Sequence, residues 1–201
     1  MALILLRHTR VDAPAGLCYG WHDVALLAPP QPSFDEVHTA LQALLSRLGL
    51  KLAEVHSSPL QRATLLAQHL AEAHAARLTL DARWRELSFG EWEGKRWDFI
   101  DRAQSDPWAE DPLHRAPPGG ETLATLAERV RAARDGLRDA ASRPGEAVLA
   151  VGHAGPMRLL LADALGLPPY PPVERSLDFG GLLALVPTDD GWRLVEESPC
   201  S

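Results

Sequence analysis

The stretch "LLRHTR" places a guanidinium and an imidazole, Arg7 and His8, side by side where an apolar run over residues 2–6 ends. Two later stretches end in a similar way: "HSSPLQR" leads to Arg62, and "VGH" closes on His153. Each alone is ordinary. A buried strand must surface somewhere, and all but Lys51 and Lys95 of the 20 basic residues are Arg, so a lone Arg says little. Together they describe a chemistry. Arginine offers planar, forked donors to an oxyanion and imidazole adds another, so Arg7, His8, Arg62 and His153, with no acid at the same strand ends, would suit phosphate. Phosphoryl transfer needs a nucleophile in line with the leaving oxygen, compensation of charge on the equatorial oxygens, and a proton for the departing alkoxide. For that proton the segment "RWRELSFGEWEGKRW" offers Glu86, Glu91 and Glu93, and composition does not choose among them.

These groups act together only if the chain brings the strand ends to one place. Residues 2–6 read as a strand buried on both faces. Phe34, Val37, Leu41, Leu44, Leu45 and Leu48 recur at helical spacing, and Gly49 stands where such a helix should stop. A short strand over 53–56 runs into "SSPLQRATLLAQHLAEAHA", where Ser58 suits an N-cap and Pro59 the first helical position. "RLTLD" is a third strand, and the interval from Glu86 to Gly120 reads as loop. Leu123, Leu126, Val130, Ala133 and Leu137 share one face of a long helix that follows it. "EAVLAVGH" is a buried strand, "GPMRLLLADALG" a helix closed by Gly166, and strands over 182–187 and 192–196 flank "TDDG" as a hairpin. This alternation predicts one three-layer α/β/α domain over residues 1–201 with a mostly parallel central sheet. In such sheets ligands bind beyond the carboxyl ends of the strands. Arg62 would lie in the first turn of a helix and His153 just before one, where free N–H groups and the positive dipole end also favour an anion.

Composition narrows the classes. An apolar fraction of 46% with 23% charged residues is globular, and a net charge of −7 argues against nucleic-acid and membrane-surface partners. Only Cys18 and Cys200 occur, which speaks for a reducing cytoplasm and against a disulfide framework or a Cys-rich zinc site. No HExxH-like cluster suggests a catalytic metal, and the leading apolar run is too short for a signal peptide. The Pro-rich stretches 28–32, 112–118 and 168–172 read as surface loops. His38, His69 and His74 fall in helices as surface or boundary residues, and Glu121 belongs to a helix's opening turn. Trp21, Trp92 and Trp97 lie near the expected mouth, where stacking on an aromatic base competes with plain packing.

"LLRHTR", "SSPLQRA", "RELSFGEWEG", "PGGET" and "VGHAG", in that order, resemble the histidine phosphatase superfamily, with its phosphoglycerate mutase-like fold. The resemblance covers residue 3 to about residue 165. It implies that His8 is the nucleophile, forming a phosphohistidine, that Arg7, Arg62 and His153 bind the phosphate, that Glu86 donates the proton, and that no cofactor is needed. His8 should be a neutral imidazole whose other nitrogen donates to a carbonyl. His153 is expected protonated, because a bound anion raises its pKa, and Trp84, Leu87 and Phe89 are expected to desolvate Glu86. Within the family, "RHTRVDAPAGLCYGWHDVALL" is most similar to alpha-ribazole phosphatases of cobalamin assembly. That implies a small phosphate ester, alpha-ribazole 5′-phosphate, as substrate, with Arg10 and Trp21 as further contacts, in a cytoplasmic monomer or homodimer. A broad-specificity phosphatase, a mutase-like enzyme and an inactive phospho-ligand binder are the alternatives. Thr9 replaces the Gly of most members and Arg10 stands where many have Glu. The interval between Glu86 and Gly120 lacks room for the long insertion of typical mutases, which favours net hydrolysis.

Overall fold

In the computed structural model, which describes residues 1–171 and 177–198, the sheet is built outward from two strands without an exposed side chain between them. Strand β1 (Ala2–Arg7) lies parallel to β4 (Glu146–Gly152), which lies parallel to β2 (Lys51–Ser57), itself parallel to β3 (Arg77–Leu80). On the other side of β1 the hairpin of β5 (Leu182–Thr188) and β6 (Gly191–Ser198) adds two antiparallel strands. The order is β3-β2-β4-β1-β5-β6. Helices α1 (Phe34–Leu48) and α2 (Gln61–Ala73) cover one face, and α4 (Leu123–Asp135) and α5 (Ala154–Ala164) the other. The strand period of two divides β1 between them. Ile4 and Leu6 join Val37, Leu41, Leu44 and Leu66 in one core, while Leu3 and Leu5 join Leu126, Val130 and Leu160 in the other. This is the expected three-layer, mostly parallel architecture, and Cys200 lies outside the described residues.

Local signals explain most element ends. Ser33 and Glu36 form a reciprocal capping box at the start of α1, and Gly49 ends it in the left-handed conformation (φ 64°). Thr122 caps α4 through the N–H of Thr125, at 3.0 Å. Three expectations are corrected. Helix α2 begins at Gln61, not at Pro59: the Gln61 N–H is taken by the Asp23 carboxylate at 2.9 Å, while Ser58 Oγ accepts from Leu60 N at 3.3 Å. Helix α4 stops at Asp135, before Leu137, because the chain turns at Gly136 into a short 3-10 turn over Ala140–Ser142. The interval read as loop contains a nine-residue helix, α3 (Arg102–Glu110), capped by Asp101 and carrying Pro107 within it. Pro107 and few apolar positions hid its period, since the helix buries no residue fully.

The strand ends come out level. Register pairs Arg7 with Gly152 and Ser57 with Val151, so His8, Ser58 and His153 leave the sheet at one height. Leu149, fully buried in central β4, should report on this core. Leu149→Ala is expected to cost about 2–5 kcal/mol in urea unfolding with an unchanged m-value; a cost under about 1 kcal/mol would contradict the packing described.

Candidate active site

His8 is seated by its own backbone. Its N–H donates to the Gly152 carbonyl at 3.0 Å, continuing the β1–β4 ladder one residue past the strand. Its Nδ1 lies 2.6 Å from the Thr9 carbonyl and donates to it, which leaves the Nε2 lone pair free. The ring is buried, meets that of His153 edge-on at 5.1 Å, and lies 5.5 Å from Phe179. Burial, then the charge of Arg62, pushes its pKa down to about 3, so this imidazole is neutral.

Around it stand the cations. The Arg7 guanidinium lies 3.8 Å over the Phe179 ring and donates to the Leu177 carbonyl at 2.5 Å. Arg62 is fully buried. The 19–23 loop folds over it and supplies carbonyl acceptors, from Gly20 at 2.6 Å and His22 at 3.0 Å, with Asp23 at 3.8 Å. Asp23 also takes the N–H of Gln61, so one loop both clamps this Arg and caps its helix. The strand ends carry no acid, but the loops bring Asp23 and Glu86 beside them. His153 is fully buried at the N-cap of α5. In the unliganded protein burial, then His8, Arg62, Arg129 and Arg7, holds its pKa well below the ordinary imidazole value.

Arg7, His8, Arg62, Glu86 and His153 line one cavity of about 300 Å³ whose outer wall includes Leu17, Tyr19, Phe89, Trp97 and Leu123. Of the three candidate acids only Glu86 reaches it. Glu91 is exposed, and Glu93 is occupied by the backbone N–H groups of Trp21, His22 and Phe89. The Glu86 carboxylate is held by polar partners rather than by the apolar side chains expected around it: Oε1 accepts from Leu87 N at 2.9 Å and Oε2 from Gly155 N at 3.1 Å. A Cβ on Gly155 would stand 2.1 Å from Oε1.

The backbone behind Glu86 is clamped by Arg129, which sequence reasoning did not single out, together with Glu121. Arg129 donates to the carbonyls of Arg83, Arg85 and Glu86 at 2.7–2.8 Å and pairs with Glu121. Glu121, read as a helix-opening residue, also accepts from Ser88 N at 3.0 Å. Gly90 (φ 53°) permits the loop to press on the 118–120 turn, where a Cβ would meet the Pro118 carbonyl oxygen at 2.2 Å. The "PGGET" stretch carried this signal; Arg129, one Arg among many, carried none.

The remaining candidates separate. Trp21 does not line the cavity: its indole N–H donates to the Glu86 carbonyl at 2.7 Å and its ring lies 4.9 Å from the Arg85 guanidinium. Trp92 is buried against Cys18 and Ile100, whereas Trp97 forms part of the wall, edge-on to Phe89 at 5.1 Å. Arg10 lines a neighbouring cavity of about 640 Å³, which shares Arg7 with the first. Arg158, not anticipated, lines the main cavity and pairs with no acid among the described residues. Burial raises the Cys18 thiol to about 12, so it is inert there. Among the described residues no group of three or more His, Cys, Asp or Glu could hold a metal ion, and no helix is long and apolar enough to cross a membrane.

Comparison with known proteins gives a consistent picture. Residues 3–198 match the histidine phosphatase superfamily (branch 1). A bifunctional protein of Mycobacterium tuberculosis is 35% identical over 172 residues, 81% of this chain but 44% of its own length, so the chain spans less than half of that relative. Phosphoserine phosphatase 1 of Hydrogenobacter thermophilus is 30% identical over 82% of this chain and 76% of its own. Among solved structures, a putative alpha-ribazole-5′-P phosphatase from Escherichia coli superposes with a TM-score of 0.84 at 23% identity, covering 100% of this chain and 97% of its own.

The buried histidines make stability pH-dependent. Unfolded, His8 takes up a proton as pH falls through about 6.5; folded, it stays neutral down to about 3. Stability should therefore be fully present above pH 6.5 and decline below it, by about 1.4 kcal/mol per pH unit for each such proton. Urea unfolding of wild type and His8→Asn between pH 7 and 4.5 should show a shallower decline in the variant. Parallel curves would contradict the neutral, buried His8.

Proposed function

We propose that this chain, which belongs to branch 1 of the histidine phosphatase superfamily, is a phosphomonoesterase that works through a phosphohistidine on His8, with residues 1–201 as its single catalytic domain. The observation that carries this reading is the meeting of a neutral His8, its Nε2 unengaged, with Arg7, Arg62, His153 and Glu86 in one cavity. The phosphate oxygens would lie among Arg7, Arg62 and His153, which compensate the charge that spreads over them in the transition state, so no metal is invoked. The Nε2 lone pair attacks phosphorus, the ester P–O bond breaks, and Glu86 gives its proton to the leaving oxygen. In the second half, the Glu86 carboxylate takes a proton from water as the water oxygen attacks phosphorus. The P–N bond breaks, and free His8 and inorganic phosphate result.

For the substrate we favour alpha-ribazole 5′-phosphate, with alpha-ribazole as the leaving alcohol. The supports are the early-loop resemblance around "CYG" and the wall of Tyr19, Phe89 and Trp97, which suits an aromatic base. A second reading, a small acidic ester such as phosphoserine, is favoured by Arg158 in the same cavity, which pairs with no acid among the described residues, and by the Hydrogenobacter relative. Cytoplasmic action on a small phosphate ester, as monomer or homodimer, belongs to the same proposal.

His8→Ala should abolish turnover and the acid-labile phosphate trapped on wild-type protein by rapid quenching. Glu86→Gln should lower the rate about 10²- to 10⁴-fold. Gly155→Ala should approach that loss, since its Cβ displaces the Glu86 carboxylate; full activity in Gly155→Ala would remove Glu86 as the acid. In a panel of alpha-ribazole 5′-phosphate, phosphoserine, 3-phosphoglycerate and a sugar phosphate, a preference of about 100-fold in kcat/KM for the ribazole is expected. A comparable preference for phosphoserine would select the second reading.

A further inference from the structure

We propose that Ser58 fixes the tautomer of His153, so that a neutral imidazole presents an Nδ1–H, not an imidazolium, to the phosphoryl group. The inference rests on the phosphatase reading only for what occupies the cavity; the tautomer is a property of the protein itself.

The geometry starts with two neighbouring strands. Ser58 directly follows β2, and its N–H donates to the Val151 carbonyl of β4 at 3.0 Å. Its carbonyl is held by Thr64 Oγ1 at 3.0 Å and by Ser57 Oγ at 2.8 Å. The side chain of this pinned residue is fully buried, and Ser58 Oγ lies 2.9 Å from His153 Nε2. Between a hydroxyl and an imidazole nitrogen either can donate, so what decides is where the hydroxyl's hydrogen can go. The Leu60 N–H donates to Ser58 Oγ at 3.3 Å and offers that hydrogen no acceptor. Among the described residues Nε2 is the acceptor within reach of the hydroxyl, which therefore donates to it. Nε2 is then the unprotonated nitrogen, and the ring hydrogen resides on Nδ1.

Nδ1 is the atom this arrangement leaves over. It is buried, has no hydrogen-bond partner among the described residues, and belongs to a ring that lines the phosphate cavity. A buried donor without a partner is costly, and a bound oxyanion satisfies it. The opposite tautomer would offer a lone pair to phosphate oxygens and repel them. The doubly protonated ring would add a buried cation beside the buried Arg62 and the half-buried Arg7, at the positive end of α5. Burial and the facing groups His8, Arg62, Arg129 and Arg7 oppose that charge. Ser58 does not line the cavity, so it is a positioning residue that acts through His153.

The test is nitrogen-15 NMR of the imidazoles in the 201-residue chain at neutral pH, with and without inorganic phosphate, assigned with a His153→Gln variant. Wild type should show a hydrogen on His153 Nδ1 and none on Nε2 in both states. Ser58→Ala should mix the tautomers and lower kcat roughly tenfold or more with a smaller change in KM, while Ser58→Thr, which keeps the hydroxyl, should recover both. A wild-type spectrum with the hydrogen on Nε2, or on both nitrogens with phosphate bound, overturns the proposal without any variant having to fold. So does a Ser58→Ala protein with the wild-type tautomer and kcat. Failure of the phosphatase reading appears separately, as absence of phosphate on His8, and leaves the spectrum to be judged by itself.

Discussion

The site depends first on the register of three parallel strands. Because β1, β4 and β2 run in the same direction and end level, the residues that follow them emerge on one rim of the sheet. The ladder extends just past the strands: the N–H groups of His8 and Ser58 bond to carbonyls of Gly152 and Val151. A slip of one residue between β1 and β4 would exchange Leu3 and Leu5 with Ile4 and Leu6 between the two cores, and would turn His8 away from His153. Two separate cores therefore enforce a geometry that the polar residues could not hold by themselves.

On that rim the protein has placed imidazoles and guanidiniums where water is largely excluded, which penalises their charged forms. The histidines respond by staying neutral. The arginines respond by drawing backbone carbonyls around themselves, Arg62 from Gly20 and His22, Arg7 from Leu177. Carbonyl dipoles stabilise a cation without cancelling it, so the excess positive charge stays available to an oxyanion. Glu86 is kept in place by the same means with the polarity reversed, its carboxylate on two backbone N–H groups and its carbonyl under Arg129.

What could be read from the sequence follows from how local each cause is. The strands and α1 were legible because burial periodicity and caps lie within a few residues of the elements they define. Arg7, His8, Arg62 and His153 were legible because each sits at a strand end or a first helical turn. Glu86 could be separated from Glu91 and Glu93 only by resemblance, since what separates them in space is whether Gly155 or Trp21 supplies the partner, 69 or 72 residues away. The start of α2 was misplaced for the same reason, because its capping carboxylate comes from Asp23, 38 residues away. Arg129 and Arg158 left no signature at all, and Ser58 was legible only as a helix cap: their contacts exist only once segments distant in the chain have come together.

The loop over 19–23 carries a consequence for how such a site can diversify. It grips Arg62 mainly through main-chain oxygens, and Glu93 grips it in turn through main-chain N–H groups. Apart from Asp23, and from Gly20, where a Cβ would meet the Leu87 carbonyl oxygen at 2.0 Å, the loop's hydrogen bonds to Arg62 do not depend on which side chains it bears. Tyr19 faces the cavity with its ring 5.4 Å from the Arg62 guanidinium, so exchanging it would alter the wall and that contact but leave the main-chain hydrogen bonds in place. What lines the cavity wall and what holds the buried cation are written in different parts of the same peptide, and the first can drift without erasing the second.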